Sequence, residues 1–295
     1  MRLASENLDE ESDRLAGTLL NEEAEVPAVE DNQGRLYTLP PVPRVDNLDQ
    51  SLRPKDLSVL VTETLRICWL NLGLLLRVSI IAHLPFFLTA FLPSSSAYLI
   101  LVFVIVIFGF LMGQFANAAT THIVAARYLG YKCTAVMAYQ ESFDMWRSLL
   151  ANTAIFSTAM LVAILLSTIG IGIPLVIFIL LAWSFYVQAI ILEKKGYMEA
   201  LLRSWNLVKR DWIRLLGVGT VFVAIEALAV LIISFISQLV FPEATVVGGL
   251  LQTLGVVIVT PFFYVGTAVV YIDLRSRLEN LNPDILAKEI GWVRG

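Results

Sequence analysis

The chain has 295 residues, 57% of them hydrophobic, with a mean hydropathy of +0.75 and a formal net charge of −4. Soluble domains run nearer about 45–50% apolar, so composition excludes an ordinary soluble domain. The long apolar runs read as helices that cross about 30 Å of hydrocarbon, and the absence of alternating segments of about 10 residues argues against a transmembrane β-barrel. Two cysteines, Cys68 and Cys133, in no CxxC pairing exclude a disulfide or zinc framework.

Residues 1–56 are acidic and dotted with proline, which predicts a mostly disordered cytoplasmic tail. It begins without a basic stretch followed by an apolar one, so no cleavable signal peptide is expected. In LPPVPR, Pro40 and Pro43 form a PxxP that suits a stiff linker or a polyproline-II ligand for a protein partner. In DLSVLVTETLRICW, Leu57, Leu60, Val61, Leu65, Cys68 and Trp69 recur at helical spacing opposite Ser58, Thr62, Glu63 and Arg66. This is an amphipathic helix suited to the membrane interface. A first span follows from Asn71 to Phe91 and a second from Tyr98 to Ala119, continuing towards Arg127. AVMAYQESFDMWR then places Val136, Tyr139, Phe143 and Trp146 on one stripe. Spans at Leu149–Ser167 and Ile173–Leu192 come next, turned at STIGIGIP. YMEALLRSWNLVKR places Met198, Leu201, Leu202, Trp205 and Val208 on a stripe, with Glu199, Arg203, Asn206 and Arg210 on the other face. Two last spans lie at Trp212–Val240 and Val246–Tyr271, turned at FPEA, and residues 281–295 read as a short cytoplasmic tail.

The pattern is an interfacial helix, a span, a short turn and a span, used three times between residues 57 and 280. The predicted fold is all-α, a polytopic membrane domain of six spans built as three repeats. Each repeat has an even number of crossings, so the repeats are parallel in topology, unlike the inverted repeats of many secondary transporters. The turns SSSA, STIGIGI and FPEATV contain no Lys or Arg. The opposite side carries Arg53, Lys55, Arg66, Arg127, Lys132, Arg147, Lys194, Lys195, Arg203, Lys209, Arg210, Arg214, Arg275 and Arg277. The positive-inside rule therefore predicts a cytoplasmic (inner) membrane protein with both termini in the cytoplasm.

Three segments, ALLRSWNLVKRDWIRLLG (Ala200–Gly217), ATTHIVAARYLG (Ala119–Gly130) and TPFFYVGTAVVYIDLRSRLE (Thr260–Glu279), carry a resemblance. Through them the region from Leu57 to Asn280 resembles the glycerophosphodiester phosphodiesterase membrane-domain family and its uncharacterised six-span bacterial relatives. The resemblance implies a fold and a membrane location. In some relatives this domain precedes a soluble phosphodiesterase barrel, and neither flank here is long enough for a barrel of about 250 residues. No catalytic residue carries over.

No HExxH, GxSxG or Walker sequence occurs, and His83 and His122 are the two histidines. No enzyme activity, metal or cofactor is predicted. Glu226 lies about 21 Å into the fifth span and His83 about 18 Å into the first, at about 1.5 Å per residue. Charge at that depth is costly and faces a bundle interior or cavity. A His83–Glu226 pair is the expectation, with Gln114 and Asn117 adding polar atoms on the second span. This centre either binds a proton or substrate or pins helix packing. Gly109 and Gly113 form a GxxxG that allows close helix approach, inside the bundle or between two copies. In YIDLRSRLENL, Asp273 stands four before Arg277 and Arg275 four before Glu279, both opposite-charge helical pairs. The leading reading is a module that binds or organises lipid, anionic lipid included, or a partner protein. Its contacts are a basic cytoplasmic collar of Arg203, Lys209, Arg210, Arg214, Arg275 and Arg277. The alternative is a small-molecule or lipid transporter centred on Glu226 and His83. Nucleic acid is not an expected partner, because the apolar stripe of RSWNLVKRDWIRLL needs burial.

Overall fold

The apolar runs form helices because a backbone in hydrocarbon must satisfy its own hydrogen bonds. The computed structural model describes residues 28–30, 36–38, 52–92, 98–241 and 246–290. The helical unit begins near Val45. Its helices are α1 (Leu57–Leu70), α2 (Leu72–Thr89), α3 (Leu99–Tyr128), α4 (Ala135–Asp144), α5 (Trp146–Ser167), α6 (Gly172–Ala182), α7 (Tyr186–Glu193), α8 (Tyr197–Val208), α9 (Trp212–Val240), α10 (Val246–Glu279) and α11 (Pro283–Glu289). Among the described residues, six stretches are long and apolar enough to cross a membrane: α2, α3, α5, α6 with α7, α9 and α10. In the preceding unit, β1 (Ala28–Glu30) pairs antiparallel with β2 (Leu36–Thr38), Val29 opposite Tyr37. The expectation of a disordered tail and its Pro40–Pro43 motif fall largely outside the described residues.

α3 and α10 are the longest helices and the centre of the bundle. α3 packs on α2, α4, α5, α7 and α10, and α10 packs on α1, α2, α3, α8 and α9. Burial is concentrated at one end. Nearly all of Phe115–Tyr128 in α3, Tyr186–Leu192 in α7 and Val265–Ser276 in α10 is buried. Towards the other end the helices present large apolar side chains outward, among them Ile100, Phe103 and Phe108 of α3 and Leu228, Leu231 and Phe235 of α9. In α3 this gradient follows the sequence. Ala, Thr and Gly between Gly113 and Ala126 let neighbours approach, whereas Leu99–Phe110 is branched and aromatic. Gly109 meets the Phe86 ring of α2 and Gly113 meets the Tyr264 hydroxyl of α10, so a Cβ at Gly109 would fall 2.4 Å from Phe86. Both glycines thus face partners within the bundle.

Two boundaries differ from the sequence expectation. The final residues of the acidic tail belong to the helical unit, because Leu52 is buried and Lys55 bonds to α10. Of the expected tail 281–295, residues 281–290 are packed, since α11 folds back with Leu281, Leu286, Ala287 and Ile290 buried. Asn282 caps α11 by accepting the Ile285 N–H at 2.8 Å, and Pro283 occupies its first turn. The fourth span is also interrupted at Trp183–Phe185, between α6 and α7.

Candidate functional site

α1, α4 and α8 lie at the buried end of the bundle, and each divides its apolar residues between two contacts. In α8, Ala200, Leu201, Leu207 and Val208 are buried in the bundle, whereas Tyr197, Met198 and Leu202 are exposed. Leu60 of α1 is buried while Leu65, Trp69 and Leu70 are exposed. In α4 and its exit, Val136, Met137, Phe143 and Trp146 are exposed. The stripes read from sequence therefore split, one side holding the bundle and the other exposed.

Ser204 of α8 fills the break in the fourth span. Its hydroxyl donates to the Ala182 carbonyl at 2.8 Å and accepts the Phe185 N–H at 3.1 Å. Both backbone groups would otherwise be left without a partner where α6 ends, and such groups are costly when buried.

The basic collar divides into engaged and free members. Arg203 reaches across from α8. It donates from Nε to both oxygens of Glu193, at 2.9 and 2.7 Å, and from its two terminal nitrogens to both oxygens of Glu279, at 2.6 Å each. Burial opposes the charge of this guanidinium, but hydrogen bonds to Glu279 and Glu193 outweigh it and hold its pKa above the usual value. Arg275 bonds to Glu289 of α11 at 2.6 and 2.8 Å and to Glu279 at 3.2 Å, lies 3.3 Å from Glu193, and rests against the Tyr271 ring. Tyr271 in turn donates to Glu193.

A second cluster forms around Asp273, whose side chain is 0% exposed. Arg214 and Arg277 pair with it at 2.8 and 3.1 Å, and the Lys55 N–H donates to it at 2.6 Å. Both arginines also donate to the Lys55 carbonyl. The Lys55 ammonium joins Glu63 at 2.6 Å and Tyr128 at 3.1 Å. The helical pairs read from sequence, Asp273 with Arg277 and Arg275 with Glu279, are both formed. Arg203, Arg214, Arg275 and Arg277 thus hold the fold together. Lys209 and Arg210 are exposed, with no ion pair among the described residues.

The intramembrane polar residues do not form one centre. His83 turns Nδ1 to the Ser79 carbonyl at 2.8 Å, on its own helix. No hydrogen bond or ion pair joins it to Glu226, which is half-buried on α9 with Tyr264 as its electrostatic neighbour. The expected His83–Glu226 pair is therefore not formed, because α2 packs on α3 and α10 and not closely on α9. Gln114 accepts from the Tyr186 hydroxyl at 2.9 Å. Asn117 accepts from Gln188 at 3.2 Å, and Gln188 also reaches Thr267 at 3.1 Å. Gln188 is fully buried, its amide tying α7 to α3 and α10.

Sequence reasoning missed Gln188, Ser204, Glu193 and Glu289. Glu193 carried a signal. A carboxylate in the last turn of a helix opposes the helix dipole, so it implied a cationic partner.

Among the described residues no three His, Cys, Asp or Glu side chains come together to hold a metal ion. Burial pushes the Cys68 thiol up to about 12 and the Cys133 thiol up to about 11, which suppresses thiolate nucleophiles.

Among the described residues, six apolar stretches of membrane-crossing length, an exposed apolar girdle and a rim of short amphipathic helices define the class as a multi-pass helical membrane protein. Residues 87–273 match the model of a family described as a domain of unknown function, DUF7847, and the chain belongs to that family. No curated protein and no solved structure matches the chain.

Proposed function

We propose that the protein is a non-enzymatic membrane module that binds and organises anionic lipid along a cytoplasmic rim. The rim is made of α1, α4 and α8, the leading helices of three parallel repeats, in the cytoplasmic membrane with both termini inside. One observation carries the reading. Exposed Met198 and Leu202 of α8 and Trp212 at the start of α9 flank the junction that carries exposed Lys209 and Arg210, whose charges no carboxylate among the described residues neutralises. Apolar side chains that enter the headgroup region, next to free cations, match the demands of a monolayer of anionic lipid. The four engaged arginines shape this rim, and the lipid contact rests on the other two.

Each basic residue near an anionic surface adds on the order of 1 kcal/mol, so Lys209 and Arg210 together supply about 2 kcal/mol, or roughly thirtyfold in affinity. Native mass spectrometry after gentle extraction tests this. Wild type retains anionic over zwitterionic lipid, and the Lys209→Gln, Arg210→Gln double variant loses most of that preference while keeping its melting temperature. Equal retention of both lipid classes by wild type would remove the reading.

A further inference from the structure

α2 and α10 pack antiparallel, and two of their contacts bracket a cleft between them. At one end Ala90 meets Gly249, where an added Cβ would lie 3.1 Å from the Ala90 Cβ. At the other, Ser79 donates to the Val257 carbonyl at 2.8 Å. Between these contacts the helices part around a cleft of about 450 Å³ lined by residues of these two helices and the Ala90 cap. That volume lies in the range of small-molecule sites, about 300–1,000 Å³. Pro85 falls within the parted stretch and has no N–H to give to the Ile81 carbonyl, which weakens the helix there.

The polar lining is rich in acceptors. His83 Nδ1 faces a carbonyl, which only accepts, so Nδ1 carries the proton and Nε2 holds a lone pair. Nε2 has no partner among the described residues, although His83 is only 7% exposed. The Thr89 and Thr253 hydroxyl protons are engaged by the Phe86 and Gly249 carbonyls, at 2.7 and 3.0 Å, so each oxygen offers lone pairs to the cleft. Gln252 turns its amide nitrogen to Ser234 at 3.3 Å, leaving its oxygen as an acceptor at the rim. Phe86, Ala90 and Val256 supply apolar wall. The lining contains no Lys, Arg, Asp or Glu, so neither a phosphate nor an ammonium would find a counter-charge.

We propose that this cleft binds a membrane amphiphile with a neutral hydroxyl head, which donates its proton to the acceptors grouped around His83 while its chain lies against Phe86 and Val256. The site is separate from the rim and does not rest on the lipid reading given there.

The test uses the full chain in vesicles of zwitterionic lipid, with a photoactivatable long-chain alcohol and its methyl ether as probes. The alcohol is expected to label peptides of α2 and α10 at least tenfold more than the ether, which has no proton to donate. Glycerol in excess should not compete, which separates an amphiphile from a free polyol. Thr253→Trp should abolish labelling by filling the cleft, and the wild-type comparison of alcohol with ether stands without that variant. Equal labelling by alcohol and ether, or competition by glycerol, would overturn the proposal.

Discussion

Ser204 shows how one hydroxyl settles the shape of a span. Without it, the Phe185 N–H and the Ala182 carbonyl face a buried interface with no partner, and α6 and α7 have no stable way to part. Ser204→Ala removes both bonds and leaves both backbone groups unsatisfied, a cost of about 1–3 kcal/mol for a buried orphan group. Thermal unfolding in detergent should show a lowered midpoint for Ser204→Ala and a smaller loss for Ser204→Thr, which keeps the hydroxyl. A midpoint unchanged in Ser204→Ala would mean that water satisfies the break. Nothing local in the sequence announced this role. AWSFY contains neither Gly nor Pro, and Ser204 sits in a different helix, so the interruption becomes visible only once α8 is packed on α6 and α7.

The helical elements were legible where a single physical term dominates. Hydropathy alone placed Trp212–Val240 as a span, and α9 has those bounds. Helical spacing placed α1, α4 and α8 close to their observed limits. What escaped was whatever depends on which helix faces which. The engagement of Arg203 with Glu193, on the preceding helix, and with Glu279, 76 residues on, joins three elements, and no periodicity encodes it. The pairing of His83 with Glu226 failed for the same reason, since equal depth does not make two helices neighbours. α11 is an intermediate case. Asn282 followed by Pro283 is a helix-start signal, but seven residues are too few to fold unless something holds them. Here Leu286 is buried and Glu289 is gripped by Arg275. Glu289→Gln weakens that grip while keeping the side-chain shape. Hydrogen exchange of the 283–289 amides should then rise at least tenfold, equivalent to about 1.4 kcal/mol of local opening. Exchange in the buried stretch of α10 should stay unchanged. Unaltered exchange in α11 would assign its hold to the buried apolar contacts of Leu281, Leu286, Ala287 and Ile290.

For the whole molecule, the positive-inside expectation and the folded structure draw on the same arginines. Orientation is set during insertion, by Lys and Arg in short loops near span ends, before helices have found their partners. At that stage Arg203, Arg214, Arg275 and Arg277 all count as positive charge on one side, and the turns SSSA, STIGIGI and FPEATV contribute none. In the folded protein those four charges are engaged by Glu193, Glu279, Glu289 and Asp273, so most of the expected basic collar is unavailable to lipid. The distinction makes a specific expectation. Neutralising Asp273 should destabilise the fold, because Arg214 and Arg277 then lose the buried carboxylate they share, at about 1–3 kcal/mol for hydrogen bonds to a charged group. Orientation should not change, because acidic residues contribute little to the bias. Reporters active only in the cytoplasm or only outside it, fused in turn to the C-terminus of wild type and of Asp273→Asn, would separate the two effects. Cytoplasmic signal in both, with lower yield of the variant, is the expected result. An external signal in wild type would place the α1, α4 and α8 rim, with Lys209 and Arg210, against the other leaflet and remove the anionic lipid from its reach.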